Sequence, residues 1–282
     1  MIIFSNIKKL ISEIKFSETD LFFENSSADG FALLGSAKQK FGVDDSDCLV
    51  KVLERNLILN GRNRVNTTKC TKNNIYTYTL WVCYEYFKQK RYEYLTNKIL
   101  EDVKSIGCYD NGWQKYCYEE INYIVPNVTS ASALIFIENG ELAEAQRIMD
   151  LLEEEQYMGN WYYQQIKEGD WEKTKLEDSF HLGLMLYHFY KLRPVLYRKE
   201  MVFNSLKNFS DKEKWLAPGS IGWSIPMTYL IYNLYKSELS EILGTNKLKN
   251  RLDILDNQVL VSLQHKNFRV RAYSAWCLSK IL

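Results

Sequence analysis

The segment DSFHLGLMLYHFY, residues 178–190, is as long as a helix and carries almost no charge beyond its first residue. A helix that is apolar on every face must be buried on nearly all sides. Similar aromatic and nearly uncharged segments recur at intervals of about 45 to 53 residues, and this repeat predicts a set of buried inner helices. The segments begin at Ala28, Asn74, Asn127, Asp178, Trp223 and Phe268.

The segments between them are amphipathic. In ELAEAQRIMDLLEEE, which begins at Glu141, the apolar side chains fall on one stripe of a helix. A helix with one apolar stripe must expose its other faces to solvent, so the alternation predicts one inner and one outer helix in each hairpin. The stripe residues are Leu142, Ala145, Ile148, Met149 and Leu152, and the other amphipathic segments begin at Asp47, Arg91, Val195 and Lys247.

The predicted fold class is all-α, with a single domain over residues 1–282. An open solenoid and a closed ring would both alternate inner and outer helices. The chain ends in an inner-type helix, AYSAWCLSKIL, and begins with an amphipathic one, SNIKKLISEIKF. Placing the first helix behind the last completes six pairs. We therefore expect an (α/α)6 toroid of six helical hairpins with inner and outer layers.

The composition excludes several classes of partner. Lys and Arg total 36 against 35 Asp and Glu, a net charge of +1, which gives no reason to expect nucleic acid. No run of about 18 apolar residues predicts a membrane span. Six cysteines and three histidines show no metal-ligand spacing, so we expect no metal and no cofactor. The first residues lack a secretory pattern, and we expect reduced thiols in a cytoplasmic protein. The oligomeric state stays open.

The starts of the inner helices are the first candidates for chemistry. Helix N-termini present unpaired N–H groups and the positive end of the helix dipole. Asp178 begins one inner helix, with Glu177 before it and His181 in its first turn, an arrangement that could orient a general acid or base. Asn127 begins another. Each also has a structural explanation, because Asn and Asp are preferred N-caps and a core histidine is common. His188 is interpreted as structural.

The segments that lead into these helices are aromatic and acidic. Side chains of this kind suit a carbohydrate cleft, and paired carboxylates are what glycoside hydrolysis requires. The alternative is that each tryptophan fills the gap between neighbouring hairpins. The candidates are Asp110 and Trp113 in CYDNGWQKYCYEE, Trp161 and Tyr163 in MGNWYYQQIKEGDWEK, and Trp223 at the end of APGSIGW.

Arg271 and Tyr273 lie near the start of the last inner helix. An arginine in an apolar helix needs a partner. Its guanidinium could bind a ligand carboxylate or phosphate in a bidentate manner, or pair with Glu177 or Asp178 inside the ring. The sequence leaves both possibilities open.

Three pieces between residues 127 and 190 resemble the α/α-toroid superfamily: NVTSASAL, LLEEEQYMGNWYYQ and EDSFHLGLMLYHF. Their order resembles six-hairpin glycosidases and glucuronyl C5-epimerases, and the middle piece resembles the aromatic turn of terpenoid-cyclase repeats. The chain departs from terpenoid cyclases because it has DDSD at residues 44–47 in place of Asp-x-Asp-Asp, and no DDxxD. It also has no zinc-ligand set of the kind that prenyltransferases use.

The resemblance implies a carbohydrate-active enzyme, an epimerase, lyase or hydrolase, that acts on an oligosaccharide or polysaccharide at the mouth of the toroid. The alternatives are a non-catalytic glycan- or peptide-binding scaffold and an atypical terpenoid-cyclase-like enzyme. By analogy with the family, Asn127, His181 or Arg271 would neutralise a uronate carboxylate, and His181, Tyr163 or Tyr273 would move the proton. The expected catalytic residues are Asp178, His181, Tyr163 and Tyr273, and the expected substrate-binding residues are Asp110, Trp113, Asn127, Trp161, Glu177, Trp223 and Arg271.

Overall fold

The computed structural model describes residues 2–14, 28–43, 97, 100, 101, 103, 104, 107–118, 121–211 and 224–282. Two compact units are present, one from residues 1–54 with 210–282 and one from residues 55–209. The single domain over residues 1–282 stays a prediction.

The described residues are mostly helical, with a small sheet. In chain order the elements are α1 Ile2–Glu13, α2 Ala28–Lys40, β1 Tyr116–Tyr118, β2 Ile121–Ile124, α3 Pro126–Glu138, α4 Leu142–Glu154, β3 Tyr162–Lys167, β4 Asp170–Leu176, α5 Ser179–Leu192, α6 Lys199–Asp211, α7 Ser224–Leu234, α8 Lys236–Leu243, α9 Thr245–Ser262 and α10 Phe268–Ile281.

The helices predicted from the periodic pattern are confirmed wherever the structure describes them. The inner-type segments form α2, α3, α5, α7 and α10, and the amphipathic segments form α1, α4, α6 and α9. The short helix α8 was not anticipated. The segments that begin at Asp47 and Asn74, and most of the one that begins at Arg91, lie outside the described residues.

Burial separates the two helix classes as the sequence predicts. Every residue of α3 from Pro126 to Phe136 is buried, whereas α4 buries only its stripe of Ala145, Ile148, Met149 and Leu152. Leu142, expected on the same stripe, is exposed because it is the first residue of the helix. α3 packs against both α4 and α5. Among the described helices of the unit formed by residues 55–209, α3 therefore contacts the next two helices in sequence.

A four-stranded antiparallel sheet, in the order β1-β2-β3-β4, corrects the all-α expectation. Its strands occupy the segments that lead into α3 and α5, which the sequence suggested were loops. β3 and β4 are joined by Glu168 and Gly169, which both have positive φ angles of 53° and 96°. Two such residues form the tight turn whose twist matches a hairpin. β2 ends just before α3 and β4 ends just before α5, so the sheet fixes both helix starts.

In the unit formed by residues 1–54 and 210–282, α10 packs against α2 and α7, and α9 packs against α7 and α8. The buried Arg251 of α9 donates hydrogen bonds from Nη1 to the Ser210 carbonyl and the Tyr232 hydroxyl, both at 2.7 Å. None of the helices in the described part of the chain combines the length and the apolar character needed to span a bilayer.

The turn before Trp161 contacts α6 very closely. Gly159 has a φ of +75°, and a Cβ atom at this position would lie 2.1 Å from the Asn204 carbonyl oxygen. Asn208 Nδ2 donates a hydrogen bond of 2.9 Å to the Met158 carbonyl in the same turn. The absence of a side chain at residue 159 is therefore a condition for the turn to pack on α6.

We expect Gly159→Ala to lower the free energy of unfolding by about 2–4 kcal/mol, because the added methyl group overlaps backbone and the φ angle is strained. Gly169→Ala is the matched control, since φ is also positive there but nothing lies within 4 Å of the added Cβ; it should cost only about 1 kcal/mol. Urea unfolding measures both. Equal losses for the two variants would contradict the packing argument.

Candidate active site

Two consecutive carboxylates accept hydrogen bonds from the first turns of two different helices. Asp178 is the N-cap of α5, and its Oδ1 accepts hydrogen bonds from the backbone N–H groups of Phe180 at 2.9 Å and His181 at 3.0 Å. Asp is a preferred N-cap because its short side chain reaches the unpaired N–H groups of the first turn. The N-cap role considered for Asp178 from the sequence is therefore present.

Glu177 performs the corresponding role for α3, although it lies 50 residues further along the chain. The residue before α3, Val125, has no side-chain acceptor. Glu177 Oε1 instead accepts hydrogen bonds from Asn127 N at 3.2 Å and Asn127 Nδ2 at 3.1 Å. Glu177 is 1% exposed, so its carboxyl group is buried at the positive end of a helix dipole.

The backbone of Glu177 is fixed on both sides. Its N–H donates to the Trp161 carbonyl at 2.9 Å, and its carbonyl accepts from Asn160 Nδ2 at 3.0 Å. Asn160 is buried, and its Oδ1 in turn accepts from the Trp161 N–H at 2.8 Å. The turn that ends at Trp161 therefore positions the carboxylate pair.

His181 lies between the two carboxylates. Its Nδ1 is 2.8 Å from Asp178 Oδ2 and 3.9 Å from Glu177 Oε2. The Tyr163 ring is edge-on to the imidazole with centroids 6.2 Å apart, and Tyr163 also forms a side-chain hydrogen bond with Glu177. The side chain of His181 is 36% exposed, whereas that of Glu177 has no exposed surface.

The surroundings shift the pKa values of the two carboxyl groups in opposite directions. Burial raises the pKa of Glu177, although His181, Tyr163 and Asn127 each act to lower it. Burial also acts to raise the pKa of Asp178, but hydrogen bonds and charge from His181, with the Phe180 N–H, outweigh it and lower that pKa to about 2. Adjacent groups with diverging pKa values are the usual basis of acid–base assignments in active sites.

This arrangement is suited to proton transfer. Asp178 holds the Nδ1 side of the His181 ring, so a reacting group would exchange its proton with Nε2. An imidazole oriented by a carboxylate is a recurrent general base. Of Glu177, Asp178 and His181, only the last two have exposed side-chain surface, so they can contact a substrate directly. Glu177 affects them through its charge and hydrogen bonds, without contacting the substrate.

The other residues singled out from the sequence are placed as follows. Trp161 is fully buried, its Nε1 donates to the Leu152 carbonyl at 2.7 Å, and its ring packs on Phe189. Trp113 is also buried. The rings of both tryptophans therefore fill the interior. Asp110 is exposed and lines a surface cavity of about 690 Å³.

Two candidates belong to the other unit, and one cannot be placed. Tyr273 is fully buried in α10. Arg271 Nη1 donates hydrogen bonds to the carbonyl groups of His265 at 2.7 Å and Lys266 at 3.0 Å. Trp223 lies outside the described residues. The structure thus brings together Asn127, Tyr163, Glu177, Asp178 and His181 from the predicted set.

Asn160 and Ser130 are the residues near this cluster that sequence reasoning missed. Ser130 is a buried hydroxyl one turn after Asn127, and nothing in its sequence context distinguishes it from the other small polar residues of α3. Asn160 had a weak signal, because it lies directly before Trp161 in a Gly-containing turn. Within the described residues, no group of three His, Cys, Asp or Glu side chains is arranged to hold a metal ion.

No family model matches the chain, and no curated protein matches it. Among solved structures it is similar to the GH76A alpha-1,6-mannanase of Salegentibacter sp. HEL1_6. An inactive variant in complex with alpha-1,6-mannotetrose, in which two consecutive aspartates are replaced by alanine, has a TM-score of 0.62 and 14% identity. An asparagine variant in complex with alpha-1,6-mannotriose has a TM-score of 0.58 and 13% identity. The structure of the mannanase itself has a TM-score of 0.57 and 12% identity.

Each of these similarities covers 99% of this chain and 97% of the mannanase. The mannanases have the (α/α)6 toroid fold of the six-hairpin glycosidases. This chain is thus similar in fold to these mannanases, as the resemblance of its three pieces implies.

We expect Asp178→Asn to be less stable than wild type by a margin that depends on pH. The folded pKa of Asp178 is about 2, below its ordinary value of 3.8, so its carboxylate stabilises the fold above pH 3.8 and that contribution is lost as the pH falls towards 2. Asparagine still caps the helix, so the margin reports the charge, and it should stay below about 1 kcal/mol because the side chain is largely exposed.

Unfolding of both proteins by urea at pH 6, 4 and 3 measures this margin. Asp178→Ala serves as the comparison, since it also removes the cap and should cost about 1–2 kcal/mol at pH 6. A margin between wild type and Asp178→Asn that is the same at pH 6 and pH 3 would show that the carboxylate is not held in its charged form.

Proposed function

We propose that this chain is a carbohydrate-active enzyme that acts on an oligosaccharide at the Asp178–His181 pair. One observation carries the proposal: consecutive carboxyl groups have pKa values displaced in opposite directions, with a partly exposed imidazole between them. A structural cap alone does not require a histidine in contact with both carboxylates. Perturbed titratable groups cluster at functional sites.

The role that we assign to each residue of the site depends on how much of its side chain is exposed to solvent. Asp178 and His181 act as one unit, in which the carboxylate orients the imidazole and Nε2 takes the proton. Glu177 sets the electrostatic surroundings of His181 without contacting substrate, since its side chain has no exposed surface. Asn127 holds Glu177 through Oε1. Tyr163 is the aromatic side chain next to the pair that retains some exposure.

The fold gives independent support. The whole chain is similar to mannanases that are inactive when two consecutive aspartates are replaced. Glu177 and Asp178 are also consecutive carboxylates, placed at the start of a buried helix. The proposal includes closure of six hairpins into a ring, with Arg271 and Trp223 as further candidates for the mouth. Tyr273 is fully buried and is not kept among these candidates. It also keeps a cytoplasmic location, consistent with the free thiols of Cys108 and Cys277.

Hydrolysis of a glycosidic bond is the first reaction we propose. The Asp178–His181 unit would take a proton from water as the water oxygen attacks the anomeric carbon, and the bond to the leaving sugar oxygen would break. That oxygen must receive a proton from a second acid on the opposite side of the sugar. Glu177 does not fit this second role, because it lies on the same side as His181 and is buried.

Proton abstraction from a uronate is the second candidate, and one observation favours it. The exposed base is a histidine supported by a carboxylate, and a tyrosine ring lies beside it. His181 would remove the proton next to the sugar carboxylate, and Tyr163 could return a proton or protonate the leaving oxygen. A lyase and an epimerase share this first step and differ in which bond changes next.

Assays of the purified full-length chain on α-1,6-linked mannose oligosaccharides and on hexuronate oligosaccharides separate these possibilities. New reducing ends without an unsaturated product indicate hydrolysis, an ultraviolet-absorbing product indicates a lyase, and deuterium uptake from solvent at C5 indicates an epimerase. Binding of glycan without any of these changes would support the scaffold alternative. Turnover only of an isoprenoid substrate would support the terpenoid-cyclase-like alternative.

We expect Asp178→Asn and His181→Gln each to lower kcat/KM by about 100-fold or more, the usual size of a general acid–base contribution. Asp170→Asn, at the exposed start of β4, and His265→Gln, in the other unit, are the matched controls and should retain activity within about 2-fold. Steady-state kinetics on the turned-over oligosaccharide measure all four. If the first two variants kept wild-type turnover, the site would lie elsewhere.

A further inference from the structure

A second buried polar contact joins α3 to α5 below the carboxylate pair. Ser130 Oγ of α3 is 2.7 Å from His188 Nδ1 of α5 and 2.9 Å from the Asn127 carbonyl oxygen. Ser130 and His188 are both fully buried. Buried polar groups of this kind are costly unless their hydrogen bonds are satisfied, so the pairing of Ser130 with His188 needs a reason.

The proton positions follow from the donor count. A serine hydroxyl has one proton. If that proton is donated to the Asn127 carbonyl, His188 Nδ1 must carry a proton and donate it to Ser130 Oγ. The reverse assignment would leave Ser130 Oγ facing the Asn127 oxygen at 2.9 Å without a proton between them. Burial lowers the pKa of His188 to about 3, so the ring is neutral at physiological pH, with its proton on Nδ1.

These contacts lead to the candidate site through one residue. Ser130 binds the carbonyl of Asn127, and the backbone N–H and side-chain amide of Asn127 both donate to Glu177 Oε1. Glu177 Oε2 lies 3.9 Å from His181 Nδ1. Hydrogen bonds that follow one another in a series like this polarise and constrain each other. A displacement at Ser130 therefore changes the position of the carboxylate that faces His181.

We propose that Ser130 and His188 are positioning residues for the Asp178–His181 pair, which they hold in place through Asn127 and Glu177. The inference rests on the proposed function of that pair. Neither residue touches a substrate, because both are buried. Their effect is on the orientation and the electrostatic surroundings of the imidazole.

The same helix provides a matched control. Ser132 is also fully buried in α3, and its Oγ lies 3.0 Å from Gln114 Oε1 and 3.2 Å from the Val128 carbonyl. Its partner Gln114 also donates to the Gly107 carbonyl and belongs to the segment before β1. Ser132→Ala thus removes the same atom at the same burial without breaking the path to Glu177.

Nuclear magnetic resonance of the histidine rings gives a test that does not require a substrate. The chain has three histidines, which are assigned by substituting each in turn. We expect Ser130→Ala to move the titration midpoint of the His181 ring by about 0.3 pH units or more, well within the shifts that neighbouring charges produce. Ser132→Ala should leave the midpoint within about 0.1 pH units. In wild type, the His188 nitrogens should show a neutral ring protonated at Nδ1.

His188→Asn is the second variant, because its amide N–H can replace the Nδ1–H donor to Ser130. We expect it to keep the His181 midpoint close to wild type, whereas His188→Leu shifts it. Folded Ser130→Ala or His188→Leu protein with an unchanged His181 midpoint would overturn the proposal, as would a His188 ring protonated at Nε2.

Kinetics separate this proposal from the proposed function. If wild type turns over a glycan, Ser130→Ala should lower kcat by about 3-fold or more with little change in KM, since only orientation is altered. If wild type turns over no sugar but Ser130→Ala still shifts the His181 midpoint, the proposed function is wrong and the structural coupling stands. Normal turnover with an unshifted midpoint in Ser130→Ala would remove the positioning role alone.

Discussion

The contact on which the site depends is the hydrogen bonding of two consecutive carboxylates to two different helix starts. Asp178 caps its own helix, α5, and Glu177 caps α3 from 50 residues away. Because the two residues share a peptide bond, the starts of α3 and α5 cannot move apart without breaking one cap. The sheet strengthens this arrangement, since β2 leads into α3 and β4 leads into α5. A junction of this kind explains why polar side chains gather at one end of two otherwise apolar helices.

Burial of Glu177 gives the junction its chemical character. A carboxyl group removed from water is destabilised in its charged form unless donors surround it. Asn127, Tyr163 and His181 supply such partners, yet the net effect on its pKa is still upward. The neighbouring Asp178 keeps its charge because it remains largely exposed and its donors are strong. Two carboxyl groups joined in sequence thus differ in their burial and in the donors around them, and His181 lies near both.

The sequence predicts the features that depend on local pattern. The apolar stripe identified α4, because burial of one helix face is set by neighbours three and four residues apart, and the near absence of charge identified α3 and α5 as helices buried on all sides. The capping role of Asp178 is equally local. The sheet was missed because neither strand alternates regularly between buried and exposed residues. β3 is mostly half-buried and β4 is mostly exposed, so only the Glu168–Gly169 turn marks them. The contact between Glu177 and Asn127 has no local signal at all, and the complete burial of Trp161 could not be predicted from its residue type.

The long separation between Glu177 and Asn127 also bears on how the protein is made. During synthesis α3 emerges about 50 residues before the carboxylate that caps it, and Val125 offers no substitute. The helix is buried along most of its length, and α5, one of the described helices that cover it, follows Glu177, so until then α3 has neither a complete first turn nor its full covering layer. Closing a loop of this length costs conformational entropy before the contact between its ends can stabilise the fold. Glu177 directly follows β4, so the first turn of α3 is completed only after the whole β3–β4 hairpin has been synthesised.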